Sequence, residues 1–217
     1  MKKGGSRLLV AAGIISYLAA IRPWMQSWGE TRDECRAALP GDEFASAQYQ
    51  TTHGITIAAA RDDVWPWLVQ MGYGRGGWYS YDVLERFVGA GDFVDGGSGR
   101  RIIPELQTLA LNDIVSLSAK GGLTVACLDR PHALVLHCRM NMITAALARG
   151  GDPAVLDWTW AFVLKPRDAT TCRLLVRTRA EFRPRVLAMF GLLLDPVHFV
   201  MERKMLLTIQ QRARYRR

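Results

Sequence analysis

Five stretches of strand character follow one another between Asp113 and Ala180: "DIVSLSA" from Asp113, "LTVACL" from Leu123, "ALVLHCR" from Ala133, "VLDWTWAFVL" from Val155 and "TCRLLVRTRA" from Thr171. Short connectors between such stretches predict antiparallel neighbours. Side chains alternate across a strand, so Trp158, Trp160, Phe162 and Leu164 share one face, while Arg173, Arg177 and Arg179 take the opposite parity to Leu174 and Val176. One side of the sheet is therefore expected to be dry and the other wet. A dry face needs a cover. The long amphipathic element left to supply it is the carboxyl-terminal stretch, where Asp195 reads as a cap, Pro196 as the first helical residue, and Val197, Val200, Met201, Met205 and Ile209 as a stripe at helical spacing. A shorter apolar helix from Pro184 to Leu194 is expected just before it.

Ahead of the sheet, "THGITIAAA" (Thr52 to Ala60) alternates as a strand with Ile55 and Ile57 on one face. A helix follows, capped by Asp62 or Asp63, with Pro66 tolerated in its first turn, Val64, Trp67, Leu68 and Met71 as its apolar stripe, and Gly72 as its stop. Asp82 and Glu85 read as a capping box opening a second short helix with Leu84, Phe87 and Val88 on its apolar face. Gly89 ends it, and "GAGDFVDGGSG" is a glycine-rich surface loop. Residues 29–50 are polar and turn-rich; they read as a linker with one helical turn around Arg32 to Ala38, so the domain is placed at 51–217.

Residues 1–28 form a separate apolar segment. Leu8 to Ile21 is fourteen residues without a charge, flanked by Lys2, Lys3 and Arg7 on one side and Arg22, Trp24 and Trp28 on the other. Three readings stand: a short membrane anchor, a secretory signal, or a helix docked on the domain. The anchor is favoured over the signal because "YLAAIRPW" is a poor cleavage site. Membrane association through this segment is the expectation, with secretion as the alternative; nearly matched basic residues on its two flanks leave the side of the membrane unassigned.

Composition adds limits. The chain has 217 residues, enough for one domain with a substantial core, and a formal charge of +8. The basic residues crowd the ends, with Arg203, Lys204, Arg212, Arg214, Arg216 and Arg217 near the last one. A helix end favoured by the macrodipole is the simplest account of that tail. No dedicated nucleic-acid motif accompanies it, so no nucleic-acid partner is expected. Cys35, Cys127, Cys138 and Cys172 have no metal-ligand spacing, and neither a metal nor a cofactor is expected. A bridge between Cys127 and Cys138 in an oxidising compartment stays open.

Four segments, "WGETRDECRAALPGDEF", "VWPWLVQMGYGRGGWYSYDVLER", "RIIPELQTLALNDIV" and "WTWAFVLKP", resemble an actinobacterial-type branch of the SRPBCC or START-like superfamily, the polyketide cyclase/dehydrase and lipid-transport group. The likeness runs from about Trp28 to Arg214, and its second segment is the most specific. It implies an α+β helix-grip fold: a strand, two small helices, a bent antiparallel sheet, and a long terminal helix over a cavity. Members of the superfamily bind lipids, sterols, polyketides or hormones, and a minority catalyse cyclisation or dehydration; this branch has no settled activity.

The candidate ligand-binding residues are Trp67, Gln70, Arg75, Trp78, Tyr79, Tyr81, Trp158, Trp160, Phe162, Met201 and Met205. The segment from Val64 to Phe87 alone holds seven of the chain's twenty aromatics. Arg75 suits an anionic ligand group at a pocket mouth, but Asp82 and Glu85 are near enough in sequence to pair with it, and pairing is favoured. Gln70 faces the same choice, with bonds to loop backbone as the plainer role. The tryptophans and Phe162 serve equally as sheet core or pocket wall, and the two methionines read as packing before recognition. Gly72, Gly74 and Gly77 satisfy GxGxxG but follow a helix instead of opening one, so a dinucleotide site is rejected and loop flexibility is the simpler account. His53, His132, His137 and His198 lack a catalytic or metal spacing, and no catalytic residue is assigned. The sequence thus predicts a domain that binds a hydrophobic small molecule or lipid between sheet and terminal helix. A cyclase or dehydratase acting on a polyketide-like or aromatic substrate, and a structural domain with a closed core, are the alternatives.

Overall fold

The fold, taken from a computed structural model, describes residues 3–214 apart from 88, 90, 95, 120 and 145. Lys2, Val88, Arg216 and Arg217, and the side chains of Lys3 and Arg7, lie outside the described residues.

The chain opens with α1 (Lys3–Ser16), passes through a π-helical stretch at Tyr17–Ile21 and continues as α2 (Arg22–Gln26). Among the described residues no helix is long and apolar enough to cross a membrane, so the expected transmembrane helix is not supported. Length is the reason: the fourteen-residue uncharged run reaches about 21 Å as a helix, against about 30 Å of hydrocarbon. Its carboxyl end is docked on the domain instead. The Tyr17 hydroxyl donates to the Leu192 carbonyl at 2.8 Å, Arg22 pairs with buried Asp195 at 2.5 Å, and the Trp24 ring meets Phe199 edge-on at 5.1 Å. Leu9, Ile14 and Ile15, further toward the amino end, stay exposed.

After α3 (Arg32–Arg36), strand β1 (Tyr49–Ile57) leads into α4 (Arg61–Val69) and α5 (Asp82–Phe87). Strands β2 (Ile114–Ser118), β3 (Gly121–Asp129), β4 (Ala133–Asn141), β5 (Val155–Pro166) and β6 (Cys172–Arg183) follow, then α6 (Met189–Arg214). The six strands form one antiparallel sheet in the order β1-β6-β5-β4-β3-β2. Register builds the dry face directly. Trp160 lies opposite Leu136 and Thr178, Phe162 opposite Leu134 and Val176, and Ile55 opposite Leu174. Together with α4 and the second half of α6 they form the main core. A six-stranded antiparallel sheet with a long terminal helix is α+β and consistent with the helix-grip arrangement. The four cysteines are free.

Three local expectations need correction. Helix α6 does not break at Asp195: a short 3-10 turn at Arg185–Ala188 leads straight into it, and Pro196 sits inside. Its buried line is also rotated, with Phe199, Glu202, Met205, Leu206, Ile209 and Ala213 inward while Val197 and Val200 are exposed. Helix α4 is preceded by Ala60 without a side-chain cap, so Asp62 and Asp63 act through their charge in its first turn.

The face of the sheet expected to be wet is covered. Residues 29–48, most of the stretch 29–50 that reads as a linker, lie across it, and residues 49–50 already belong to β1. Arg177 is 2% exposed and uses all five of its N–H donors, on Thr52 Oγ1, the carbonyls of Glu34, Cys35 and Ala37, and Asp42 Oδ2, at 2.8–3.0 Å. Arg173 grips Glu34 in a two-pronged pair at 2.8 Å, and Arg179 reaches Gln50 and the Asp42 carbonyl. Gly41 permits the close approach: its φ is +98°, and a Cβ there would stand 2.7 Å from Val135 Cγ1. Leu39, Ala133, Val163 and Leu175 pack into a small second core beneath.

Candidate functional site

On the inner face, sheet and helix do not close along the first half of α6. A lobe of about 300 Å³ lies between Trp78, Trp158, Trp160, Met201 and Met205, with Glu202 and His198 in its wall. A second lobe of about 280 Å³ extends toward Tyr49, Leu156, Ala180, Phe182 and Val197. Trp158 and His198 border both.

Strand alternation sets the aromatic wall. Trp158 and Trp160 are stacked at 5.7 Å, Trp160 meets Phe162 at 5.1 Å, and Trp78 stacks on Trp160 from the helical side, also at 5.1 Å. A loop delivers Trp78, and a buried carboxylate fixes that loop: Glu85 accepts from Ser80 N at 2.8 Å and Trp78 N at 3.3 Å. The expected capping box therefore does not form, because Glu85 caps the loop before α5, and Asp82 accepts from Ser98. The indole N–H groups of Trp78 and Trp158 are buried and have no acceptor among the described residues. An unmet buried donor costs about 1–3 kcal/mol, and because both nitrogens are buried beside an unfilled space they face away from it.

Under the aromatic wall sits a polar cluster. His53, fully buried on β1, places Nδ1 2.5 Å from Glu202 Oε1 and Nε2 2.7 Å from the Met25 carbonyl. Both ring nitrogens face acceptors, which suits a protonated imidazole. The indole of Trp160 donates to Glu202 Oε2 at 2.8 Å. His198 Nε2 stands 3.3 Å from the same oxygen, without the alignment of a hydrogen bond. Burial pushes the Glu202 pKa up, but His198 and His53 outweigh it and hold the carboxyl well below its usual range. Burial likewise lowers the His53 pKa, and the Glu202 carboxylate more than restores it, leaving the imidazole raised.

The predicted residues fall into separate groups. Trp78, Trp158, Trp160, Met201 and Met205 line the cleft. Phe162 is fully buried against Trp160, behind the lining. Tyr79 is fully buried at φ +57°, its hydroxyl donating to the Trp67 carbonyl. Gln70 is a strut, donating to the Arg101 carbonyl and accepting from Ile103 N and Gln107. Arg75 makes no ion pair with Asp82 or Glu85 among the described residues: it donates to the carbonyls of Val69, Met71 and Leu106 and so ties off the end of α4. The glycines beside it are conformational requirements more than sources of flexibility, since Gly72 and Gly77 bond each other across the loop and both have positive φ. Trp67 and Tyr81 border a different opening of about 830 Å³, near the end of α6.

His53, His198 and Glu202 stand in the cleft wall or beneath it without any motif spacing in the sequence to mark them. One signal was present: His198 and Glu202 are four apart on a helix and must share a face. The other was parity, since His53 alternates with Ile55 and Ile57 and belongs inside with them.

No family model matches the chain, and no curated protein does. Solved structures similar to it include a conserved protein from Geobacillus kaustophilus, with 14% identity, TM-score 0.41, and 76% of this chain and 95% of that one covered. Truncated norcoclaurine synthase from Thalictrum flavum has 15% identity and a TM-score of 0.38 over 78% of this chain and 95% of that one. The di-domain ARO/CYC BexL, of the BE-7585A biosynthetic pathway, has 14% identity and a TM-score of 0.37 over 76% of this chain and 46% of that one.

Proposed function

We propose that the chain binds a hydrophobic small molecule or lipid in the cleft between the inner sheet face and α6. The observation that carries this reading is an unfilled space walled by three stacked indoles and two methionines. Apolar walls with a few convergent polar groups are the usual make-up of a small-molecule site. The ligand class that fits is mostly apolar, in keeping with walls of indole rings and methionine. Organic extraction of purified protein followed by mass spectrometry tests it. An apolar compound enriched over a Met201→Trp variant is the expected result; identical extracts from the two proteins would remove the idea.

One observation favours an enzyme of the cyclase or dehydratase type, namely the carboxylate of Glu202 and the imidazole of His198 in the cleft wall. It is the weaker reading. A general base works best with a pKa near the operating pH, and Glu202 is held far below that by its two histidines. The other candidates for polarising a carbonyl, Arg75 and Tyr79, are bonded to backbone carbonyls away from the cleft. Turnover of an aromatic or polyketide-like substrate that disappears in Glu202→Gln, with apolar binding retained, would reverse this preference.

A further inference from the structure

A second pocket, of about 830 Å³, lies beyond Ser80, which borders both it and the cleft. Its charged lining consists of Arg100, Arg101, Lys204 and Arg212 against Asp82. Asp82 already accepts from the Ser98 hydroxyl at 2.6 Å and from Ser98 N. The remaining wall mixes Trp67, Tyr81, Val83 and Ile102 with the neutral polar residues Ser80, Ser98, Thr208 and Gln211.

Arg212 is the group that asks for a partner. Its guanidinium lies 4.7 Å over the Tyr79 ring and 5.8 Å from Trp67, and Nη2 donates to the Ser98 carbonyl at 3.3 Å. Nη1 is buried with no acceptor among the described residues. Burial lowers the Arg212 pKa, and Arg100 close by opposes its charge further, while Tyr79, Asp82 and Glu85 act the other way. A partly desolvated cation at the pocket wall, next to a second cation, is held at a free-energy cost that an incoming anion would offset.

We propose that this pocket binds a phosphate-type dianion carried on an apolar or aromatic body. Convergent cations favour a tetrahedral dianion over a carboxylate, because it offers an acceptor oxygen to each of several arginine and lysine donors. Trp67, Tyr81 and Val83 then take the body. The pocket is lined by residues other than the cleft's indoles, so the inference stands whether or not the cleft holds a ligand.

The test titrates the full chain with phenyl phosphate by calorimetry and, separately, sediments it with phosphatidylcholine vesicles with and without phosphatidic acid. Saturable binding is expected, weakened about tenfold or more in Arg212→Gln and less in Arg100→Gln. Arg149→Gln, which removes the same charge from an exposed loop outside the pocket, should leave it unchanged. Because Arg100 is exposed, its variant keeps the test decisive should Arg212→Gln not fold. Uptake of the free ester supports a soluble ligand. Binding confined to phosphatidic-acid vesicles and lost in the same two variants supports a lipid headgroup. Saturation in neither arm, or equal weakening by Arg149→Gln, overturns the proposal.

Discussion

The two faces of the sheet invert what their residue types suggest. The outer face carries three arginines on β6 and is sealed, since Arg177 has a partner for every donor and residues 29–48 lie over it. The inner face carries tryptophans and is left open, with a cleft between it and α6 and two indole N–H groups without acceptors. Polarity is therefore a poor guide to closure. A buried guanidinium that matches carbonyls and a carboxylate defines one arrangement of its cover. Large flat rings stack well with one another but need not fill the space before a helix.

The sharpest way to break this contrast is Arg177→Ala. It leaves Asp42 and three carbonyls without a shared donor, and about 3–5 kcal/mol of stability should be lost by urea unfolding, the range for removing one member of a buried ion pair. A loss below about 1 kcal/mol, the level of an exposed pair, would mean that the arginine does not hold the cover down.

A smaller effect is expected from Glu202→Gln, about 2 kcal/mol near pH 5.5, as for a lost hydrogen bond to a charged partner. Its pH dependence has two limbs. The lowered Glu202 pKa gives stability that is present above the unfolded value of about 4.3 and lost as pH falls through the folded one. The raised His53 pKa gives stability that is complete below about 6.5 and lost as pH rises through the folded value. Both limbs should flatten in the variant, and unfolding curves across pH check this.

The smallest change expected is for Trp158→Phe. The indole N–H has no partner to lose among the described residues, so only ring area is removed and stability should move by about 1 kcal/mol or less. A larger loss would place Trp158 in the sealed core.

What the sequence made legible were the elements with a strict period. Strands β3 to β6 follow from alternation, and the terminal helix from its spacing, although Asp195 and Pro196 suggested a break that the helix passes through. Asp195 had another use, as the partner of Arg22. The outer cover was illegible because three of the five Arg177 bonds end on backbone carbonyls, which carry no residue-type signal, and the acids that pair with Arg173 and Arg177, Glu34 and Asp42, are 139 and 135 residues away from them in sequence. The same holds for Arg75, whose obvious acidic partners in sequence are not its partners in space. The tryptophan wall was readable from β5 alone. The cluster beneath it was not, since His53 and Glu202 are 149 residues apart and meet only once α6 crosses β1.

The proposed binding role requires that the space facing Trp78, Trp158 and Trp160 take an apolar guest. It is tested most directly by titrating the full chain with a neutral naphthylamine probe, following energy transfer from tryptophan, in parallel with Met201→Trp, whose added ring fills the larger apolar lobe. Saturable uptake by the wild-type chain, lost in a variant that melts within a few degrees of it, is predicted. Equal uptake by both, or none by either, would contradict the claim.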